Sequence, residues 1–446
     1  MGQWAQMRSR KASSSHGWSA YGGQTVGAYY PQQDPSGSSS GSAVAPSVGL
    51  ALGALGTETS GSIVLPAEKS NLVGIKPTLG LTSRSMVIPI SVRQDTVGPM
   101  ARTVKDAAYM LSAISGKDRN DNWTSIQPFQ QAPDYVKACN HSALKRVRLG
   151  VPRNGISPFL TDQNAPIMAA FEKALEVITN AGARVWDDAN FASFNMNAFH
   201  RNSSIVLDTD FASGLANYFS SLRKNPGNVR NLHDLANFTR SDPREGFPDR
   251  DVYVWDRVLG LNITNESSES YNAYKANLHM GDDLGVTGTL DKYNLDALVM
   301  PTFASFHLPA IAGLPVVTVP LGFFPPETPL AWNLKKTAIN VAPQIPYGIA
   351  FVGRRWSEEL LVSLAYAFEQ RTLARQKISP YIAPTFELGD QVSHTARAAR
   401  ASATVSPLRI MRTVETVQAL LKRSVKGLLS IDGWMWGVLG VFETME

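Results

Sequence analysis

The chain has 446 residues, of which 43% are hydrophobic and 18% are charged. This composition excludes a disordered polyampholyte and suits one large folded domain. The single cysteine, Cys139, excludes an internal disulfide and a zinc cluster built from cysteines.

The net charge of +5 is concentrated near the C-terminus. Seven basic residues and one acid, Glu415, lie between Gln391 and Gly427, so the rest of the chain carries about −1. A nearly neutral body lacks the basic face that binds a phosphate backbone, which predicts no nucleic-acid partner.

No targeting or membrane-spanning segment is visible in the sequence as given. The first residues, MGQWAQMRSRK, lack the apolar core of a signal peptide, so a cytoplasmic location is the default expectation. The longest low-charge stretch near the start, Ala43 to Leu55, is too short to span a bilayer.

The hydrophobic pattern predicts an α/β protein. Glycine, serine and proline crowd residues 13–42, and a loop, a tight helix, a short strand and another loop should follow up to Thr78. A strand at 147–155, a helix with apolar residues on one face and a strand in ARVWD form a βαβ unit. The apolar face contains Ile167, Phe171, Leu175 and Ile178.

The second half of the chain contains an insertion and a return to strands. Residues 190–290 are polar and predict an irregular insertion of helices and loops that shapes a substrate pocket. Strands are predicted at 295–301, 312–323 and 347–353, and a helix at 358–372. We therefore expect one domain over residues 1–390.

Residues 391–446 are predicted to form a basic amphipathic extension. Apolar residues fall near one helical face, and Trp434 and Trp436 follow. Contact with a membrane surface is one interpretation, but a helix packed on the body or a tail from a misread exon is favoured over it.

Two glycine-rich loops with several hydroxyl groups carry most of the functional information, at residues 37–42 and 56–62. A serine nucleophile needs a base and donors for an oxyanion, and the second loop can supply the serine and the donors. An isolated Gly/Ser run would be interpreted as a linker. Here an apolar segment and the second loop follow directly.

Between Pro35 and Thr78 the sequence resembles the amidase signature hydrolases, and it is most similar to their fungal type. The resemblance continues through DTVGPMARTVKDAA, DALVMPT, AGLPVVTVPLG, YGIAFVGRRWSEELL and AYAFEQRT. It implies a mixed central β-sheet flanked by helices on both faces, with the N-terminal strands missing from this chain.

The resemblance also implies a Ser, cis-Ser, Lys triad. Ser62 matches the nucleophile, and Ser38 matches the relay serine on a cis peptide bond. The backbone N–H groups of Thr59, Ser60, Gly61 and Ser62 match the oxyanion hole. No cofactor is implied, and the scattered histidines predict no metal site.

The catalytic lysine has no match. In this family it lies farther upstream than the 37 residues that precede Ser38. Lys11 is interpreted as a surface charge, Lys76 as structural, and Lys69 has no assigned role. Without the base Ser62 is a weak nucleophile, so we expect a truncated chain with impaired activity.

The function predicted from the sequence is hydrolysis of the C–N bond of a small carboxamide through an acyl-enzyme. A non-catalytic binding protein of the same fold is the alternative. A glutamine-dependent amidotransferase subunit is less favoured, because the body is nearly neutral and the motifs are of the fungal type. The sequence assigns neither the substrate nor the oligomeric state.

Overall fold

The computed structural model describes residues 16–333 and 336–382. Within them, eight strands form a mixed sheet in the order β3-β5-β4-β9-β12-β8-β6-β7, and the other four form two small hairpins. The strands are β1 (Trp18–Ser19), β2 (Gly23–Gln24), β3 (Gly53–Glu58), β4 (Val73–Lys76), β5 (Thr96–Ala101), β6 (Arg148–Gly150), β7 (Arg184–Trp186), β8 (Ala297–Pro301), β9 (Val316–Phe323), β10 (Ala331–Trp332), β11 (Ile339–Val341) and β12 (Pro346–Val352).

Helices flank the sheet. In chain order they are α1 (Ser40–Ser47), α2 (Val64–Lys69), α3 (Val104–Ile114), α4 (Arg153–Ile156), α5 (Ala165–Asn180), α6 (Met196–Ser221), α7 (Leu232–Ser241), α8 (Tyr253–Leu259), α9 (Ser268–Leu278), α10 (Val286–Lys292), α11 (His307–Ala312) and α12 (Glu358–Thr372).

The central strands are covered on both faces. Every residue of β4, β8 and β12 is buried. Because successive side chains of a strand point to opposite faces, burial of the whole strand means that protein packs on both sides of the sheet. The predicted α/β fold with a mixed central sheet is confirmed.

The predicted βαβ unit is present. Strands β6 and β7 pair in parallel, and α5 connects them. The predicted apolar face of α5 is its buried face, with Ile167, Phe171, Leu175 and Ile178 all buried. The strands predicted in the second half correspond to β8, β9 and β12, and the predicted final helix is α12.

The 190–290 insertion is more regular than the sequence predicts. It includes α6, a helix of 26 residues, followed by α7, α8 and α9. Apolar side chains of α6, α7 and α8 form a second core around Trp255, which is 1% exposed. The irregular appearance of the sequence arises because polar residues such as Asp208, Thr209 and Asp210 lie on buried parts of α6.

The extension predicted at 391–446 and Lys11 lie outside the described residues. In the part of the chain that the structure covers, no helix is both long enough and apolar enough to cross a membrane.

Candidate active site

The predicted nucleophile lies in a tight loop between β3 and α2. The strand ends at Glu58, the helix begins at Val64, and Ser62 between them is 6% exposed. Gly61 has a φ of +84°, and a Cβ there would lie 2.9 Å from Cδ1 of Leu65 and 3.1 Å from Cδ2 of Phe306. The backbone conformation therefore favours glycine at this position, and a Cβ would also crowd Leu65 and Phe306.

The carboxylate of Glu58 holds the backbone of this loop by accepting three of its N–H groups. Its Oε1 accepts the N–H of Gly61 at 2.9 Å, and its Oε2 accepts the N–H groups of Ile63 at 2.7 Å and Val64 at 3.0 Å. Burial raises the pKa of Glu58, whereas the charge of Lys76 and the three N–H groups act in the opposite direction. One carboxylate thus fixes the backbone on both sides of Ser62.

This arrangement divides the predicted oxyanion donors. The N–H of Gly61 points at Glu58 and is occupied by it, so it is not available to a substrate in this conformation. The N–H groups of Thr59, Ser60 and Ser62 remain as candidates.

The predicted relay serine adjoins the nucleophile loop. The Gly37–Ser38 peptide bond is cis. Ser38 is 8% exposed, and among the described residues its buried Oγ has no hydrogen-bond partner. The next residue connects the two loops, because the N–H of Ser39 donates to the carbonyl oxygen of Ser62 at 3.3 Å. The loops that carry the two predicted catalytic serines therefore adjoin each other.

A buried lysine, Lys76, and a half-buried one, Lys69, lie close to this region in the sequence, and both are engaged elsewhere. The Nζ of Lys76 donates to the carbonyl oxygens of Leu314 at 2.8 Å and Pro77 at 3.3 Å. Burial lowers the pKa of Lys76 to about 8, with the charges of Glu58 and Glu358 opposing the shift. This placement supports the structural interpretation of Lys76.

Lys69, for which the sequence suggested no role, is also held by a backbone group. Its Nζ donates to the carbonyl oxygen of Asn340 at 2.8 Å. Burial lowers the pKa of Lys69, and the charges of Glu68 and Asp34 raise it again in part. Lys69 thus connects the end of α2 to β11.

Sequence reasoning missed the segment 90–95, which contacts Thr59 in the loop between β3 and α2. The carboxylate of Asp95 accepts the hydroxyl of Thr59 and the N–H groups of Ile90 and Ser91. Nε2 of Gln94 donates to the carbonyl oxygen of Thr59 at 3.2 Å. The polar pair at positions 94 and 95, next to the apolar β5, was the available signal, but nothing in the sequence showed which loop it would contact.

The same segment joins the loop to the insertion. The hydroxyl of Ser91 donates to Oδ2 of Asp210 on α6 at 2.6 Å, and Arg93 contacts the backbone carbonyl of Asn265 and the hydroxyl of Ser270. The insertion is therefore linked by hydrogen bonds to the segment that contacts Thr59 in the loop that carries Ser62.

The described residues contain no group of three or more His, Cys, Asp or Glu side chains that could hold a metal ion. The groups assembled here are hydroxyls, backbone N–H groups, an amide and carboxylates. They can support acyl transfer to a serine if a base reaches Ser38.

Comparison with known proteins connects this geometry to a family. The family model described as Amidase matches residues 5–362. A protein of Arthroderma benhamiae named "Putative amidase" is 49% identical over 386 residues, which is 86% of this chain and 64% of that protein. A protein of Arabidopsis thaliana named "Probable amidase" is 34% identical, covering 84% of this chain and 67% of that protein. The chain therefore spans about two thirds of the length of these relatives.

A solved structure shares the fold. The peptide amidase from Stenotrophomonas maltophilia superimposes with a TM-score of 0.73 at 33% identity, covering 86% of this chain and 74% of that one. The match to the family model extends over most of the chain and includes both serine loops. The chain therefore belongs to the amidase signature family.

Proposed function

We propose that this protein is a serine amidase that hydrolyses the C–N bond of a small carboxamide. Ser62 is the nucleophile and Ser38 relays its proton. The observation that carries the proposal is the junction of the two serine loops, where Ser39 N–H donates to the carbonyl oxygen of Ser62 directly after the cis Gly37–Ser38 bond.

The chemistry follows from these groups. The Oγ of Ser62 bonds to the substrate carbonyl carbon while its proton passes to Ser38, whose own proton passes to a base. Backbone N–H groups of the loop stabilise the oxyanion. Collapse of the tetrahedral intermediate breaks the C–N bond, and the relay returns a proton to the departing amine. Water then hydrolyses the acyl-enzyme by the same sequence of proton transfers.

The described residues do not supply a base for Ser38. Among the described residues no side chain hydrogen-bonds to Oγ of Ser38, while Lys69 and Lys76 donate to backbone carbonyls. In the proposed mechanism the base is a lysine outside the described residues. Without that lysine hydrolysis is slow, because an unassisted serine hydroxyl is a weak nucleophile near neutral pH.

Labelling with a fluorophosphonate probe tests this proposal. The chain as given is compared with a fusion in which the N-terminal part of the Arthroderma benhamiae relative precedes it. Both are made as wild type, Ser62→Ala, Ser38→Ala and Ser42→Ala. Ser42 is the matched control, because it lies in the same Gly/Ser run as Ser38 and has no role in the proposed mechanism.

We expect rapid labelling of the fusion alone, with loss in Ser62→Ala, strong reduction in Ser38→Ala and retention in Ser42→Ala. If this chain were labelled as rapidly as the fusion, the proposal that the added segment supplies the base would be wrong. Absence of Ser62-dependent labelling from both folded proteins would reject the serine mechanism in favour of a non-catalytic binding protein.

A further inference from the structure

Gln94 has a buried side-chain amide that contacts the loop between β3 and α2, and only its nitrogen has a hydrogen-bond partner among the described residues. It is 2% exposed, and its Nε2 donates to the carbonyl oxygen of Thr59 at 3.2 Å. Its Oε1 is buried and has no hydrogen-bond partner among the described residues. Only the nitrogen can donate to a carbonyl, so the contact with Thr59 sets the orientation of the amide and directs the oxygen away from that carbonyl.

Hydrogen bonds hold the backbone around Gln94 in place, so it cannot easily move to give this oxygen a partner. The N–H of Gln94 donates to the carbonyl oxygen of Ser91 at 3.1 Å. The neighbouring Asp95 accepts the N–H groups of Ile90 and Ser91 at 2.8 and 3.0 Å, and its other oxygen accepts the hydroxyl of Thr59. The segment is therefore fixed against the loop that carries the oxyanion donors.

A second buried glutamine shows what a purely structural role requires. Gln127 is 6% exposed, and its Nε2 joins three backbone carbonyls, those of Gly80 at 2.8 Å, Leu81 at 3.1 Å and Gly116 at 2.8 Å. Gln94 makes one such contact, and its buried Oε1 has no partner among the described residues. Leaving a buried acceptor unpaired costs about 1–3 kcal/mol, so such a group in a native structure calls for a functional role or a bound partner that accounts for it.

We infer that Oε1 of Gln94 accepts a hydrogen bond from the N–H of the substrate amide, and so makes the site prefer amides to esters of the same shape. This inference rests on the proposed function. An amide presents an acceptor, its C=O, and a donor, its N–H. The loop offers N–H groups to the first, and Gln94 offers an oxygen to the second.

The discrimination has a simple physical basis. In an ester an oxygen replaces the N–H, so its lone pairs face Oε1 of Gln94 and the buried acceptor stays unpaired. A site that hydrogen-bonds a substrate N–H rejects the analogue that lacks it, because its own polar group is then left without a partner. Gln94 is thus a specificity-determining residue that contacts substrate, separate from the proton relay.

Ligand binding without turnover tests this role. N-methylbenzamide has an N–H at the position where methyl benzoate has an oxygen, and the two ligands are otherwise alike. Their dissociation constants are measured by saturation-transfer NMR on the Ser62→Ala chain, alone and combined with Gln94→Leu or Gln127→Leu. Thermal unfolding shows whether each variant is folded. The measurement needs neither the nucleophile nor the base.

We expect the Ser62→Ala chain to bind the amide about three- to tenfold more tightly than the ester, as one net hydrogen bond allows. Gln94→Leu should abolish the preference, whereas Gln127→Leu should lower stability and keep it. Equal affinities in the parent, a preference that survives Gln94→Leu, or failure of the amide to bind at millimolar concentration would overturn the inference. Fluorophosphonate labelling of Ser62 is independent of these outcomes, so failure here and failure of the serine mechanism are distinguishable.

Discussion

The hydroxyl of Ser39 pairs with both backbone groups of Thr57. It accepts the Thr57 N–H at 3.1 Å and donates to the Thr57 carbonyl oxygen at 3.0 Å. Thr57 lies on β3, the edge strand of the sheet, so these groups face away from β5. One hydroxyl therefore takes the place of a neighbouring strand, and it fixes the loop of Ser38 to the strand that leads to Ser62.

Removal of this hydroxyl should destabilise the site from its edge. Ser39→Ala removes both hydrogen bonds between this hydroxyl and the backbone of Thr57, and we expect a loss of about 1–3 kcal/mol in the free energy of unfolding, measured by urea denaturation. Ser47→Ala is the matched control, because Ser47 is a buried serine of α1 whose hydroxyl has no partner among the described residues. Equal stability of the two variants would show that the Ser39 contacts contribute nothing.

The three N–H groups held by Glu58 lead to a second prediction. In Glu58→Gln the side chain has one acceptor oxygen and one NH2 group, so at least one N–H among those of Gly61, Ile63 and Val64 faces a donor. We expect a loss of about 1–3 kcal/mol in the free energy of unfolding and slower fluorophosphonate labelling of Ser62 in the fusion protein. Lys76 also loses an opposing charge.

Glu58→Asp separates the effect of charge from that of reach. It keeps a carboxylate beside Lys76 on a side chain one methylene shorter. We expect it to retain more stability and more labelling than Glu58→Gln. The opposite order would mean that the reach of the side chain contributes more to the loop than its charge does.

The two serine loops were predictable because their glycines and hydroxyls form continuous motifs. The partners that orient those loops were not. Gln94 and Asp95 lie more than 30 residues after Ser62, and only the folded chain shows that they contact Thr59. Likewise a lysine in a sequence suggests a surface charge, whereas Lys76 is fully buried and its Nζ donates to the carbonyl oxygen of Leu314. Local pattern predicts elements, but long-range polar pairing depends on how the elements pack.

Asp95 should make stability depend on pH. Burial raises its pKa from 3.8 to about 6, although the bonds from Thr59, Ile90 and Ser91 favour the ionised form. A raised pKa means that the native state retains a proton that the unfolded state releases. The contribution to stability is therefore complete below the unfolded value and is lost as the pH rises through about 6.

Comparison of wild type with Asp95→Asn by urea denaturation at about pH 4 and about pH 7 measures this effect. Between these two pH values the wild type should lose up to about 3 kcal/mol relative to the variant. Asp134→Asn is the control of opposite sign, because Asp134 is exposed and its hydrogen bond from Lys137 lowers its pKa. A wild-type difference that does not change with pH would mean that Asp95 titrates as it does in the unfolded chain.

The close packing of β5 against β4 depends on one glycine, Gly98. A Cβ on Gly98 would lie 1.9 Å from the backbone oxygen of Ile75 on β4, which is far inside contact distance. A backbone oxygen in a sheet cannot retreat without breaking the pairing around it. Gly98→Ala should therefore separate β5 from β4 and cost about 3 kcal/mol or more in the free energy of unfolding.

Gly41→Ala is the matched substitution in open space. Gly41 lies in α1, where an added Cβ meets no heavy atom within 4 Å, and alanine restricts the unfolded chain more than glycine does. This variant should be more stable than the wild type by about 0.5–1 kcal/mol.

Gly98→Ala should also affect the site. Since β5 pairs with β3 along Gly53 to Glu58, a displaced β5 also moves the strand that leads to Ser62, so Gly98→Ala should lose labelling in any fraction that folds. A soluble Gly98→Ala protein with wild-type stability and labelling would show that the spacing between β4 and β5 does not control the site.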